Sequence, residues 1–250
     1  MKALFFARPI EYRLESSAEN LLQGDSLQGT LTAANRGSEP LGPLTLGVAL
    51  AFGQFKKVKD TGPGACKALE KIVAAEGVTL APGQEHKAPW SLTLPPDSPV
   101  TGKNNGPFLL YGGDLSKVGD YGFIDLPVKP SLVPETFLTV VETRFSFEPR
   151  GMSWSGGFIQ TTLKPSGAFP NLEELGLGLH PHAEGLDVVF TFKLKAFQRP
   201  GSKAPARKVV EIKRSLTQAE CLLGQNLPNR NLFHAISKEV IDEALPPGMR

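Results

Sequence analysis

Apolar and polar residues alternate in several short stretches of this chain. Trp90, Leu92 and Leu94 alternate with Ser91 and Thr93, which places three apolar side chains on one face of an extended segment. A period of two is typical of a β-strand that is buried on one face only. The same alternation recurs in the segments 27–33, 159–163, 175–179 and 188–196.

Glycine and proline separate these stretches. The chain has 26 Gly and 22 Pro among its 250 residues, and they are scattered as turn residues rather than repeated at a fixed period. Pro82-Gly83 precedes the stretch around Trp90, and Pro95-Pro96 ends it because two successive prolines remove two backbone donors. Many short strands joined by turns predict an all-β protein.

Two segments have helical spacing instead. Phe137, Val140 and Val141 follow Pro134 at distances that predict a short helix over residues 135–142, with a continuous strand as the alternative. Residues 231–245 predict a longer amphipathic helix, which has no partner in the sequence and must therefore dock on a sheet or on another molecule. Its apolar stripe consists of Phe233, Ile236, Val240 and Ala244.

The length of 250 residues favours two domains, because single domains most often have 100–150 residues. The proline-containing segment 129–134 is the predicted boundary. It divides the chain into an N-terminal domain of residues 1–130 and a C-terminal domain of residues 131–250.

The segment 94–101, which reads Leu-Pro-Pro-Asp-Ser-Pro-Val-Thr, resembles the signature of arrestin-like domains, in particular those of bacterial sporulation-control proteins. The strand at 27–33, preceded by Gly24-Asp25, resembles the opening strand of such domains. The resemblance implies two consecutive arrestin-like (immunoglobulin-like) β-sandwich domains with a short linking helix and a C-terminal helix. It also implies an adaptor or regulatory role without catalysis, and it carries over no active-site residue.

Charge is distributed unevenly in one region only. The formal net charge is +2, and basic residues concentrate in the segment 193–214 around a predicted hairpin tip at 200–206. Such a cluster can meet acidic protein, anionic lipid or nucleic acid, whereas the alternative is a solvated hairpin whose lysines protect a sheet edge. Including the apolar stripe of the C-terminal helix, the candidate partner contacts are Lys193, Lys195, Arg199, Lys203, Arg207, Lys208, Phe233 and Val240.

No motif assembles a reactive group or a cofactor site. His180 and His182 are spaced as a metal pair on a strand, but two further ligands are not indicated, and two exposed imidazoles are the alternative. The segment 151–157 lacks the Gly-x-Ser-x-Gly spacing of a nucleophile elbow. Cys66 and Cys221 lie far apart without a basic neighbour, which favours reduced thiols in a cytoplasmic protein.

Neither a leader nor a membrane span is predicted, because the apolar run near residue 4 is about five residues long. We therefore expect a non-enzymatic cytoplasmic adaptor or regulatory protein that binds other proteins through β-sandwich surfaces, without cofactors and without nucleic acid. Self-association and peripheral membrane contact stay open. The alternative is a ligand- or carbohydrate-binding β-sandwich module, for which Trp154 is the candidate residue.

Overall fold

A computed structural model describes residues 1–17, 20–197, 206–224 and 226–246. The described residues divide into two compact units, Met1–Lys129 (unit 1) and Pro130–Arg250 (unit 2). The strands and helix of unit 1 are, in chain order, β1 (Lys2–Ala7), β2 (Ile10–Ser16), β3 (Leu21–Leu22), β4 (Ser26–Asn35), β5 (Leu41–Gln54), α1 (Phe55–Thr61), β6 (Lys67–Leu80), β7 (Glu85–Thr93), β8 (Asn105–Gly112), β9 (Tyr121–Asp125) and β10 (Val128–Lys129).

Unit 1 is a sandwich of two four-stranded antiparallel sheets. The first sheet has the strand order β1-β2-β4-β7, and the second has the order β6-β5-β8-β9. Alternate residues of each strand meet in one apolar core, which includes Tyr12 and Trp90 from the first sheet and Val48 and Leu109 from the second. A short parallel pair, β3 with β10, joins the beginning and the end of the unit.

The strand predicted around Trp90 is confirmed as β7. Trp90 and Leu92 are buried, and Leu94 directly after the strand is buried as well. The central part of β5, residues 46–51, is buried on both faces, because a second small apolar cluster around Ala49 and Leu110 covers its other side.

Unit 2 contains one five-stranded antiparallel meander and two helices of 14 and 15 residues. Its elements in chain order are α2 (Leu132–Phe145), β11 (Glu148–Ser155), β12 (Phe158–Lys164), β13 (Leu172–His182), β14 (Gly185–Phe197), β15 (Ala206–Thr217), α3 (Gln218–Cys221), β16 (Leu222–Leu223), β17 (Leu227–Pro228) and α4 (Arg230–Ala244). The sheet has the sequential order β11-β12-β13-β14-β15, and β16 pairs only with β17.

Helices supply the second layer of unit 2. The ring of Phe137 in α2 lies 6.1 Å from the ring of Phe190 in β14 and 5.1 Å from the ring of Phe233 in α4. The linking helix and the C-terminal helix are thus confirmed, and the protein as a whole is mostly β, as predicted. A second sheet was expected opposite the meander, whereas in the described residues the apolar stripes of α2 and α4 take that place.

Candidate functional site

The basic cluster predicted in unit 2 is divided by the sheet. Lys193 and Lys195 project from one face of β14, and Lys193 forms an ion pair with Glu174 of β13. Lys208 is paired in register with Leu194 and therefore projects from the opposite face. Arg199 and Lys203 lie outside the described residues, as does the side chain of Arg207. A partner contact through these six residues stays a prediction.

Phe233 and Val240 do not lie on the surface. Both side chains have a relative exposure of 0%, because the apolar stripe of α4 packs inside unit 2. The prediction that these two residues contact a partner is therefore wrong for the folded protein, and of the two docking possibilities for this helix the internal one is realised.

The two histidines do not form a metal pair in the structure. The Nδ1 atom of His180 lies 2.8 Å from the carbonyl oxygen of Gly157, and its ring is tilted against the ring of Phe158 with the two ring centres 5.0 Å apart. The Nε2 atom of His182 lies 3.8 Å from a carboxylate oxygen of Asp187. In the part of the chain that the structure describes, no three His, Cys, Asp or Glu side chains gather as metal ligands.

The cysteines and Trp154 also lie in structural positions. Burial raises the pKa of both Cys66 and Cys221 to about 11, so that each thiol stays protonated at neutral pH. A protonated thiol is a poor nucleophile. Trp154 lies half-buried in β11, opposite Ile159 of β12.

A more distinctive surface surrounds the hairpin of β1 and β2 in unit 1, which sequence reasoning did not single out. Leu4 and Phe6 project outward from β1 with relative exposures of 53% and 57%. Their neighbour Phe5 points inward and packs against Gly122 of β9, where an added Cβ would lie 2.6 Å from the Cβ of Phe5. The strand is therefore held on its inner face and presents two large apolar side chains on its outer face.

The outer edge of β1 also presents backbone groups. β1 is the last strand of its sheet, and in the described chain no strand pairs with its second edge. Met1 and Ser16 exchange two backbone hydrogen bonds of 2.6 and 2.9 Å. Because hydrogen-bonded and open pairs alternate in an antiparallel ladder, the unbroken register directs the N–H and C=O groups of Lys2, Leu4 and Phe6 away from β2.

An apolar hollow lies beside these side chains on the outer side of the hairpin turn. This outer groove has a volume of about 530 Å³. One of its two cations, Arg36, already has a partner, since it donates two hydrogen bonds of 3.0 Å to the carboxylate of Glu11. The residues that line the outer groove are Phe6, Arg8, Pro9, Ile10 and Arg36.

A second hollow, the inner cleft, lies between the two sheets at the same end of unit 1. Its volume of about 590 Å³ falls in the range that is usual for sites of small molecules. Four separate chain segments form its walls, namely residues 7–12, 43–47, 71–73 and 113–120. Much of the wall is apolar, with Ile10, Leu44, Ile72, Val73 and Leu115 among its residues.

The charged residues of the inner cleft differ in whether they have partners. Asp114 accepts hydrogen bonds of 2.9 and 2.6 Å from the backbone N–H and the hydroxyl of Ser116, and these bonds lower the pKa of Asp114. Asp120 lies 3.5 Å from the ammonium group of Lys117. Among the described residues, Arg8, Lys71 and Asp114 form no ion pair, and the charge of Lys71 contributes to the lowered pKa of Asp114.

Tyr12 contributes a polar group to this cleft from the core. Its side chain has a relative exposure of 2%, and burial, together with the charge of Asp120, raises its pKa to about 12. The hydroxyl makes no hydrogen bond with the residues that the structure describes. Space for it comes from Gly113, where an added Cβ would lie 2.7 Å from the Tyr12 oxygen.

The strands of both units define a mostly β protein. The structure is similar to that of Spo0M, the sporulation control protein of Bacillus subtilis, with a TM-score of 0.69 at 16% sequence identity. The match covers 94% of this chain and 98% of Spo0M. This similarity confirms the mostly β fold that the segment 94–101 implied, whereas the second β-sandwich expected in unit 2 is a sheet covered by helices.

Two other similarities are confined to about half of the chain. The C-terminal domain of Wzt matches with a TM-score of 0.32 at 10% identity, over 52% of this chain and 80% of that domain. The CARDB domain of a protein from Pyrococcus furiosus matches with a TM-score of 0.29 at 10% identity, over 46% and 84% of the two chains. No protein-family model and no curated protein sequence matches the chain at a significant level.

Proposed function

We propose that this protein is a non-enzymatic, cytoplasmic regulatory protein that binds an extended segment of another protein at the free edge of β1. One observation carries the proposal: backbone donors and acceptors of Lys2, Leu4 and Phe6 point outward along an edge strand whose two apolar side chains are more than half exposed. The structural likeness to Spo0M, a sporulation control protein, supports a regulatory role.

An extended segment fits this edge for two reasons. A strand that joins a sheet gains main-chain hydrogen bonds whatever its sequence, and side chains at every second position then supply specificity. Here Leu4 and Phe6 stand at alternate positions on the same face, and the outer groove begins at Phe6. Natural edge strands are usually protected by charge or proline, whereas the middle of β1 is apolar.

A non-enzymatic role is supported by the chemistry of the described side chains. The thiols of Cys66 and Cys221 are held in the protonated form, and the carboxylate of Asp114 is engaged by Ser116. Two free cysteines also fit the reducing conditions of the cytoplasm. Among the described helices, none is long and apolar enough to cross a membrane.

The test is crosslinking and mass spectrometry of the intact protein in cell extract, with the double variant Leu4→Lys/Phe6→Lys. We expect the variant to lose crosslinks between β1 and its partner by at least tenfold, because lysine at an edge opposes strand pairing. A second copy of this chain crosslinked through β1 to β1 would replace the partner proposed here by self-association.

A matched control places the same charges on other edge strands. Leu69 in β6 and Val209 in β15 have relative exposures of 40% and 58%, and each lies on an outermost strand. The variant Leu69→Lys/Val209→Lys should keep the β1 crosslinks of the wild type. Loss of the same crosslinks in both double variants, or in neither, would contradict binding at β1.

A further inference from the structure

The free backbone edge of β1 ends beside the outer groove. β1 ends at Ala7, and the chain then turns through Pro9, which has no backbone N–H. The carbonyl oxygen of Pro9 accepts a hydrogen bond of 2.9 Å from the N–H of Arg36. A strand added to β1 therefore finds its last regular main-chain partners at Phe6, and beyond this point it meets side chains.

The side chains of the outer groove are apolar or positively charged. Phe6, Pro9 and Ile10 supply apolar surface, and Arg8 and Arg36 are its charged residues. Among the described residues that line the groove, none carries a carboxylate. The outer groove differs in this respect from the inner cleft, whose lining has as many carboxylates as cations.

One of the two arginines is balanced by its surroundings. Arg36 donates hydrogen bonds to Glu11 and lies 3.2 Å from Glu85, and Arg13 forms ion pairs with the same two glutamates. Two cations thus face two carboxylates. Arg8 is exposed and forms no ion pair in the part of the chain that the structure describes. The free charge of the groove is therefore positive.

The carboxylates on the inner side of the turn do not balance Arg8 either. The inner cleft, which Arg8 also borders, contains Asp114 and Asp120. Lys117 lies 3.5 Å from Asp120, and the charges of Lys117 and Lys71 act on Asp114. Two lysines thus match the two aspartates of the cleft, and the guanidinium of Arg8 stays available to a bound group.

The charge at this end of β1 selects the direction of an added strand. A strand antiparallel to β1 that ended here would bring its N-terminal ammonium group to a free arginine, and the two like charges would repel each other. A parallel strand that ended here would bring its terminal carboxylate, which matches the two parallel N–H donors of a guanidinium.

We propose that the segment bound at β1 is the C-terminus of the partner protein, parallel to β1, with its last side chain in the outer groove and its terminal carboxylate on Arg8. The proposal rests on the function proposed for β1 and specifies the chemistry of the partner. Opposite residues of paired strands share a face. The last side chain therefore meets Phe6, Pro9 and Ile10 and is apolar, and the third-last lies beside Phe6 and the fifth-last beside Leu4.

A labelled seven-residue peptide serves as the probe. It has leucine at its last, third-last and fifth-last positions, serine elsewhere and a fluorophore at its N-terminus. Fluorescence anisotropy with the intact protein should show the free carboxylate form binding at least tenfold more tightly than the same peptide with a C-terminal amide. Equal affinity of the two forms, or no binding of either up to millimolar concentration, would overturn the proposal.

A third peptide separates a chain terminus from an internal acidic residue. It carries an aspartate after the last leucine and ends in an amide, so that its carboxylate belongs to a side chain. This peptide should bind no more tightly than the simple amide. If it binds as tightly as the free carboxylate form, the partner segment is internal and acidic, and the assignment to a C-terminus is wrong.

A variant of Arg8 locates the carboxylate. Arg8→Gln should lower the affinity of the free carboxylate form to that of the amide and leave the amide unchanged. Lys87→Gln is the matched control, because it removes an exposed cation of β7 in the same sheet but outside the groove, and it should keep the tenfold preference. A tenfold preference that persists in Arg8→Gln would contradict the proposal.

The proposal and the function proposed for β1 can fail separately. Leu4→Lys/Phe6→Lys should lose binding of both peptide forms, because it opposes strand pairing itself. If the two forms bind equally and both are lost in this double variant, strand addition at β1 holds and recognition of a C-terminus fails. If the protein crosslinks in cell extract are the same in wild type and double variant, the function proposed for β1 fails.

Discussion

At the scale of single residues, the packing of unit 1 depends on positions that admit no side chain. Gly29 in β4 is the clearest case, because it lies opposite Trp90 of β7. A Cβ at this position would lie 2.1 Å from the carbonyl oxygen of Glu15 and 2.8 Å from the indole ring of Trp90. Neither the backbone oxygen nor a ring that is 96% buried can move away freely.

Gly29→Ala should therefore lower the free energy of unfolding by about 2–4 kcal/mol, as overpacking and backbone displacement do. Urea denaturation measures the change. Gly167→Ala is the matched control, since no atom lies within 4 Å of its added Cβ, and it should change stability by less than about 0.5 kcal/mol. Equal stability of both variants would show that β4 can shift past Trp90.

A second prediction at this scale concerns Glu11 on the outer face of unit 1. Hydrogen bonds from Arg36 lower the pKa of Glu11 below its ordinary value. A carboxylate whose pKa is lower in the folded state stabilises the fold above the unfolded pKa of about 4.3, and this contribution is lost as the pH falls through the folded pKa.

Glu11→Gln should therefore lose stability less steeply than the wild type when urea denaturation is followed from pH 6 down to pH 3. Glu76→Gln, which changes an exposed glutamate without an ion pair in the described chain, should keep the slope of the wild type. A Glu11→Gln slope equal to that of the wild type would show that Arg36 does not distinguish the two protonation states.

At the scale of elements, α4 is part of the core of unit 2. Phe233 is fully buried and its ring lies 5.1 Å from that of Phe137. Asn229 begins the helix by accepting a hydrogen bond from the N–H of Leu232, and Arg214 of β15 binds both Glu239 and Glu243 on its outer side. The helix is thus fixed by its cap, its apolar stripe and one arginine.

Phe233→Ala should lower the free energy of unfolding by about 3–5 kcal/mol, the usual cost of removing a buried phenylalanine. Lys238→Ala, on the exposed side of the same helix, should cost less than about 1 kcal/mol, because its ion pair with Asp242 is exposed to solvent. Thermal denaturation of both variants distinguishes a core helix from a peripheral one. Similar midpoints for the two variants would contradict internal docking of α4.

The elements differ in how far the sequence predicts them. β7 and α4 follow from periodicity, because each has one apolar face and clear ends. β1 was missed because Leu4, Phe5 and Phe6 are apolar on both faces, so no alternation marks the strand. In unit 2 the period of α2 predicted a helix correctly, but a helical stripe does not reveal that helices replace a second sheet.

The inner cleft cannot be predicted from the sequence, for a different reason. Its walls come from four segments that are separated by up to about a hundred residues in sequence. Arg8 and Lys71 line the same cleft only because the two sheets stack with these ends together. No local pattern contains that information, whereas the basic cluster at 193–214 is visible in sequence and is divided between two faces by the pleat of β14 and β15.

At the scale of the whole molecule, each unit has its own apolar core and its own cysteine. Cys66 lies half-buried in unit 1, and Cys221 is buried in unit 2. Because the pKa of each thiol is raised to about 11, labelling by a thiol reagent at neutral pH is slow until the surrounding structure opens.

Thiol labelling followed by mass spectrometry should therefore report on the two units separately. Phe233→Ala should accelerate labelling of Cys221 several-fold and leave Cys66 unchanged, and Gly29→Ala should do the opposite. Acceleration of both cysteines by either substitution would show that the two units unfold as one cooperative body.

The turn between β1 and β2 has one more consequence. Arg8 borders the outer groove and the inner cleft at once, and it is the only cation among the described residues that lines both. A ligand that draws the guanidinium into the outer groove removes it from the inner cleft, and a ligand in the inner cleft removes it from the outer groove. Two ligands that never touch each other would thus compete for the side chain of Arg8. Thermodynamic reciprocity then requires each ligand to lower the binding affinity of the other by the same factor.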